Sequence, residues 1–190
     1  MTFPELLGLL ASSASALGEE NDGLSDLDHG LQCAFELSQL RPSDLGLQLA
    51  GLVHDIGHRF GPDADHGVLG ADRVRGLLGD RVALLVELHV PAKRYLVTTD
   101  ASYRGCLSAQ STRTLTAQGG PFTADEVASF LASPHAADAV ELRRADDAAK
   151  VPGRSVPPLA HWVPMLREAA GLHEVDGRHE VAGLRDAGST

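Results

Sequence analysis

Histidine and aspartate are the residues of this sequence whose types and spacing could do chemistry. The chain of 190 residues contains nine histidines, and five of them fall in its first ninety positions, at His29, His54, His58, His66 and His89. His54 is followed directly by Asp55 in the segment VHDIGH, inside an apolar stretch. A carboxylate beside imidazoles is costly to bury unless a metal ion or a hydrogen-bond network compensates its charge. The segment therefore predicts a metal site.

The spacing of these residues predicts how they share helix faces. His54 and His58 are four residues apart and are expected on one face, while Asp55 can bridge two ions with its two oxygens. Arg143 and Asp146, three residues apart, are expected to share a face of a later helix. Imidazoles and carboxylates without thiolates suit iron, manganese, zinc or nickel, and bundle interiors are a usual place for dinuclear sites. Since a single buried histidine is more often a hydrogen-bonded core residue, the prediction depends on their joint occurrence.

Helices must position these ligands, because apolar residues recur with helical spacing along nearly the whole chain. Alternating β-branched runs of the kind that mark strands are scarce. The sequence predicts an all-α fold, a helical bundle with a dinuclear metal site in its core. The predicted helices are residues 3–17, 28–40, 45–56, 66–78, 81–96 and 106–117, one from a capping box at Thr123 and Glu126 to an interruption at Ser133, 135–149 and 159–170.

Composition limits the class of protein. With 43% apolar residues the chain can bury one sizeable core, so we expect a single domain over residues 1–170 and a flexible tail over 171–190. The net charge of −10 argues against a nucleic-acid or anionic-membrane partner. Cys33 and Cys106 form no CxxC pair, which fits a reducing, cytoplasmic setting. No stretch of eighteen uninterrupted apolar residues occurs, so a soluble protein is expected.

Longer motifs point to a family. His29, then His54-Asp55, then Asp146 resembles the H…HD…D signature of the HD-domain superfamily, most of whose members are phosphohydrolases and a minority oxygenases. The segments LDHGLQCAF (27–35), HVPAKRYLV (89–97) with the following ASY, and LSAQSTRTLTAQGGP (107–121) closely resemble HD-domain mixed-valent di-iron oxygenases. Enzymes of that family cleave the carbon–phosphorus bond of 1-hydroxyphosphonates.

The resemblance implies a metal centre of two iron ions, in the Fe(II)/Fe(III) state, with O2 as co-substrate. It places His29, His54, Asp55 and Asp146 on one iron. The second iron would be held by Asp55 as a bridge together with His66 and His89.

The resemblance also implies the substrate contacts and the reaction. His58 would approach the substrate hydroxyl, and the positions where the family binds phosphonate are Lys93, Ser111, Thr114, Gln118 and Arg143. His58 and Lys93 are the predicted catalytic residues. Charge-assisted donors from lysine and arginine suit a dianion independently of the family. The implied products are phosphate and a carboxylic acid, such as glycine from 2-amino-1-hydroxyethylphosphonate.

One loop departs from the family pattern. Family members carry a tyrosine that covers an iron and a glutamate that meets the substrate's amino group, whereas residues 15–26 read SALGEENDGLSD. No tyrosine is present, and the acid nearest to the glutamate's place is Asp22, predicted as a further substrate contact. An amine, a trimethylammonium, a methyl or no substituent at that end of the substrate all stay open. The expected pathway partner, also by resemblance, is a 2-oxoglutarate-dependent phosphonate hydroxylase.

Two other functions share these ligands. A metal-dependent HD phosphohydrolase would act on a nucleotide or phosphate ester without oxygen. A non-catalytic metal sensor would leave the predicted cations Lys93 and Arg143 without a purpose.

Overall fold

The computed structural model describes residues 1–14 and 23–172, and over these ranges the all-α prediction is confirmed. Three short 3₁₀ turns, at Ile56–Arg59, Asp63–Asp65 and Tyr103–Cys106, lie between the helices. The α-helices of the described part are α1 (Phe3–Ser12), α2 (Asp26–Leu40), α3 (Leu45–Val53), α4 (His66–Leu78), α5 (Asp80–Thr99), α6 (Ala109–Ala117), α7 (Ala124–Leu131), α8 (Ala136–Ala148) and α9 (Leu159–Ala169). No helix in these ranges is both long enough and apolar enough to pass through a membrane.

Local residue preferences set several of the helix ends. Asp44 accepts a hydrogen bond from the backbone N–H of Leu47 at the start of α3. Thr123 and Glu126 form the predicted capping box at the start of α7. Gly79 joins α4 to α5 with a positive φ of 87°, a conformation that favours glycine. These local preferences set the starts of α3 and α7 and the junction between α4 and α5.

The longest helix, α5, runs through the middle of the bundle. It packs against α3, α4 and α8, and α2 closes the other side of α3 and α8. Leu49, Leu85 and Leu142 are fully buried where these helices meet. Each such side chain contributes about 1.5–3 kcal/mol through burial of apolar surface. Because α5 packs between several other helices, its side chains can meet side chains from more than one of them.

Four predicted helix boundaries are wrong by three residues or more, and one of them is the end of α5, which lies at Thr99 rather than at residue 96. α1 ends at Ser12 rather than at residue 17, since the hydroxyls of Ser12 and Ser13 both bond to the carbonyl of Leu9 and compete with the helix. α6 begins at Ala109 rather than at 106, because Ser108 is extended and caps it. The predicted helix over 45–56 ends at Val53.

The early end of α3 also overturns the expectation that His54 and His58 share one helix face. Asp55 has φ −94° and ψ 2°, so the chain leaves the helix there and continues as a 3₁₀ turn. Gly57 lies in that turn, and a Cβ at this position would sit 1.8 Å from the carbonyl oxygen of His66. The turn therefore packs directly on the start of α4, an approach that only glycine permits.

Candidate metal centre

Four of the predicted ligands converge at the centre of the bundle. His29 comes from α2, His54 and Asp55 follow α3, and Asp146 comes from α8. The Nε2 of His29 lies 3.4 Å from Asp55 Oδ2 and 3.2 Å from Asp146 Oδ1. The Nε2 of His54 lies 3.2 Å and 3.8 Å from the same two oxygens. We call these four residues the first cluster.

A second cluster, formed by His66 and His89, surrounds the other oxygen of Asp55, and His58 lies beside it. The Oδ1 of Asp55 lies 3.5 Å from the Nε2 of His66, 3.7 Å from that of His89 and 3.7 Å from that of His58. The Nε2 atoms of His66 and His89 are 2.8 Å apart, and the rings of His58 and His66 stack with centroids 4.0 Å apart. Asp55 therefore directs one carboxylate oxygen to each cluster, as a residue that bridges two ions must.

Backbone carbonyls fix the orientation of the imidazole rings. A carbonyl can only accept, so each Nδ1 that contacts one must carry the hydrogen and donate it. The four contacts are His29 to Ala149 at 2.9 Å, His54 to Gly51 at 2.8 Å, His66 to Asp63 at 2.5 Å and His89 to Val86 at 2.6 Å. Each Nε2 is thereby turned towards the clusters, the arrangement typical of metal-ligating histidines.

These donors fit metal ions. Within the described ranges the buried Nε2 atoms of His29 and His54 make no well-aligned hydrogen bond, although carboxylate oxygens lie close to both. Burial lowers the pKa of His54, but the carboxylates of Asp55 and Asp146 outweigh it and raise that pKa to about 10. Burial lowers the pKa of His66 to about 4. The first cluster thus has a strong negative field and the second consists mainly of neutral imidazoles. Nitrogen and oxygen donors of this kind suit iron, manganese, zinc or nickel.

The clusters open into a cavity of about 230 Å³ whose wall also carries cations and hydroxyl groups suited to an anion. Lys93, one helical turn after His89 on α5, donates to the Oγ1 of Thr114 at 2.9 Å. Arg143 on α8 donates to Asp146 and, at 3.2 Å, to the Oγ of Ser111. The full set of predicted substrate contacts in this wall is Lys93, Ser111, Thr114, Gln118 and Arg143.

Lys93 and Arg143 differ in how strongly their surroundings favour the charged form. Burial and the nearby Arg143 lower the pKa of Lys93 to about 7. Arg143 is also buried, but Asp146 and Asp147 outweigh that cost and raise its pKa above the ordinary value. Arg143 is therefore always charged, whereas the charge on Lys93 depends on pH and on a bound anion.

Comparison with known proteins agrees with this geometry. Residues 27–110 match the HD domain family. A hydroxymethylphosphonate dioxygenase of Gimesia maris is 37% identical over 153 residues, which cover 75% of this chain and 76% of the relative. The chain belongs to the HD-domain phosphonate dioxygenases. A glycine-betaine-forming 1-hydroxy-2-(trimethylamino)ethylphosphonate dioxygenase of Leisingera caerulea, another member, is 33% identical over 135 residues, or 66% of this chain and 69% of the relative.

The dioxygenase fold brings together every predicted site residue that the structure describes. All the predicted metal ligands lie in the two clusters, and His58 lies beside the second. Asp22 falls outside the described residues. His135 and His161, which we did not predict as ligands, lie elsewhere, at the start of α8 and against Trp162.

Sequence reasoning missed several residues of the dioxygenase cavity. Its wall also contains Asp26, Arg59, Asp63, Val90 and Lys150. Lys150 lies 3.3 Å from Asp146 Oδ1, and helical spacing could have found it because it follows Asp146 by four residues. Asp63 contacts His58 Nδ1 through its side chain at 3.2 Å and His66 through its carbonyl, and no sequence signal marked that role.

Proposed function

We propose that this protein is an oxygenase that uses O2 to cleave the carbon–phosphorus bond of a small 1-hydroxyalkylphosphonate, giving phosphate and a carboxylic acid. The observation that carries the proposal is the cavity, which is lined both by the carboxylate-bridged histidine clusters and by cations and hydroxyls. Both named relatives are dioxygenases of hydroxylated phosphonates, which favours this reaction over phosphate-ester hydrolysis.

The metal in this proposal is a pair of irons in the Fe(II)/Fe(III) state. His29, His54, Asp55 and Asp146 would hold one ion. Asp55, His66 and His89 would hold the other. When bound, the pair supplies the redox chemistry that O2 activation needs and a positive charge for the substrate oxygens.

The cations and hydroxyls of the cavity wall bind the phosphonate. Lys93 supplies a point charge and Arg143 supplies planar N–H donors, so both favour a dianion over a neutral ligand. The Ser111 and Thr114 hydroxyls already contact these cations and can turn to a phosphonate oxygen. These donors therefore bind the phosphonate end of the substrate.

His58 serves the 1-hydroxyl group of the substrate. The Asp63 carboxylate accepts a hydrogen bond from its Nδ1 at 3.2 Å, and this turns the Nε2 towards the cavity and Asp55. An imidazole in this position can accept the hydroxyl proton or pass it on.

The reaction balances without an external reductant. Hydroxymethylphosphonate and O2 contain the atoms of formate, hydrogen phosphate and one proton. The C1–P bond and a C1–H bond break while new C–O and P–O bonds form, so carbon is oxidised and O2 is reduced. Protein residues supply only positions, charges and proton transfers.

The cavity volume bears on the size of the substrate. A cavity of about 230 Å³ has room for a compact phosphonate. Asp22 remains a predicted contact for a cationic substituent. A 2-oxoglutarate-dependent phosphonate hydroxylase, which would supply the 1-hydroxyl group, remains the predicted pathway partner.

The test is phosphate release by the iron-loaded protein with and without O2. The panel contains hydroxymethylphosphonate, 2-amino-1-hydroxyethylphosphonate, its trimethylammonium analogue and a nucleoside monophosphate. Release only from hydroxyphosphonates and only with O2 is expected, with electron paramagnetic resonance detecting the half-integer spin of a mixed-valent pair. Oxygen-independent release from the nucleotide would identify a phosphohydrolase and overturn the proposal.

A further inference from the structure

Two residues that have no part in the proposed reaction accept hydrogen bonds from the guanidinium of Arg143. Its Nε donates to the hydroxyl of Tyr103 at 2.9 Å and to Asp147 Oδ2 at 3.2 Å. Its Nη2 also donates to Asp147 Oδ1. The Tyr103 hydroxyl donates in turn to Asp147, so the three groups form a closed ring of hydrogen bonds.

Tyr103 is itself firmly placed. Its side chain is buried, and its backbone N–H donates to Asp100 Oδ1 at 3.2 Å, at the start of the 3₁₀ turn that precedes α6. The other oxygen of Asp100 accepts from Arg144 on α8 at 3.2 Å. Burial raises the pKa of Tyr103, so its hydroxyl keeps the hydrogen that it donates to Asp147.

This ring of hydrogen bonds uses the N–H donors on one side of the guanidinium. An arginine has five N–H donors in one plane. The Nε and one edge of the fork are used by Tyr103 and Asp147, and Nη1 reaches Asp146. Rotating the plane would break several of these contacts together, so the donors that remain are held facing Ser111 and the cavity.

We propose that Tyr103 and Asp147 are positioning residues for phosphonate binding, which act by fixing the plane of the Arg143 guanidinium. Neither residue lines the cavity, so neither touches the substrate. The inference rests on the proposed function, because it assumes that Arg143 binds the phosphonate. The proposal predicts that a substitution of Tyr103 weakens binding of the anion only when residue 143 has a planar guanidinium.

The experiment is a double-mutant cycle on the iron-loaded protein, with Tyr103→Phe, Arg143→Lys and the double variant. Calorimetry with inorganic phosphate gives Kd, and turnover of hydroxymethylphosphonate gives KM and kcat. Losing one hydrogen bond to a charged group should weaken phosphate binding about tenfold in Tyr103→Phe, with a matching rise in KM and a smaller change in kcat. With Arg143→Lys already present, Tyr103→Phe should change Kd less than about twofold, because lysine has no Nε or plane to fix.

Tyr95→Phe is the matched control, since Tyr95 packs against Phe130 away from the cavity and should leave Kd unchanged. An equal effect of Tyr103→Phe in both backgrounds would overturn the proposal, and so would a lower Tm with Kd and KM unchanged. If no hydroxyphosphonate is turned over by the unaltered protein, the proposed function fails. The double-mutant cycle on the Kd for inorganic phosphate still measures the role of Tyr103 in that case.

Discussion

Asp55 is the residue on which both clusters depend, because each of its carboxylate oxygens faces a different set of imidazoles. Neutral alanine at this position would leave two groups of histidines without the charge that balances a cation. Removing a residue that only supports a metal ligand typically costs 10–100-fold, so removing a bridging ligand should cost at least that.

We therefore expect Asp55→Ala to lose more than ~100-fold in phosphate release and to retain fewer irons per chain than the unaltered protein. Metal analysis after desalting and the activity assay measure the two effects. Asp65→Ala, an exposed aspartate of the neighbouring 3₁₀ turn, is the control and should change neither. An Asp55→Ala protein with full activity and two irons would refute the ligand assignment.

Lys93 gives the site a pH dependence whose sign can be worked out. Its pKa of about 7 means that the free enzyme carries the charge below pH 7 and loses it above. A dianion binds the charged form, so phosphate affinity should be steady with respect to this group below pH 7. Above pH 7 the affinity should fall by up to about tenfold per pH unit.

Lys93→Arg provides the matched comparison, because arginine stays charged throughout this range. Its phosphate Kd, measured by calorimetry from pH 7 to 9, should lack the rise expected of the unaltered protein. The same rise in both proteins would show that another group causes the pH dependence.

At the scale of elements, the site depends on how closely the turn after α3 packs on α4. Gly57 allows this approach, and a Cβ there would meet the His66 carbonyl oxygen at 1.8 Å. The backbone must then move, and the movement separates Asp55 from His66. Packing, rather than helix propensity, therefore holds the two clusters together.

Gly57→Ala should lower the free energy of unfolding by about 1–3 kcal/mol and weaken metal retention. Gly76→Ala is the matched control, since a Cβ at this exposed position of α4 meets nothing within 4 Å. It should instead stabilise the protein by about 0.5–1 kcal/mol. Urea denaturation measures both, and equal effects of the two variants would contradict the packing argument.

The elements also show what the sequence can and cannot predict. The boundaries of α4 at His66 and Leu78 match the prediction, because Gly79 ends the helix by a local conformational preference. The end of α3 was missed because apolar spacing continues to Ile56, while the contact of Gly57 with α4 is a tertiary one. Spacing could place His89 and Lys93 on one face, but only the fold shows that Tyr103 reaches Arg143.

At the scale of the whole molecule, the bundle buries a set of charges that helix packing alone does not compensate. Asp146 and Arg143 are each less than 5% exposed, and Lys93 is 3% exposed. The ion pairs and clusters come from helices far apart in sequence, such as α2, α5 and α8. Since the unfolded chain does not assemble these ligands, a metal that binds the folded protein should also stabilise it.

Removal of metal should therefore lower Tm. A ligand present at 100 times its Kd stabilises the native state by about 2.7 kcal/mol, and for a domain of this size that corresponds to about 5–10 °C. Scanning calorimetry of iron-loaded and chelator-treated protein, with excess chelator removed, measures the difference. Asp55→Ala should show little shift on chelation, because its bridging ligand is absent. Equal Tm values for the loaded and stripped protein would mean that the clusters hold no structural metal, and the charges of Asp146, Arg143 and Lys93 would then have to be balanced by one another.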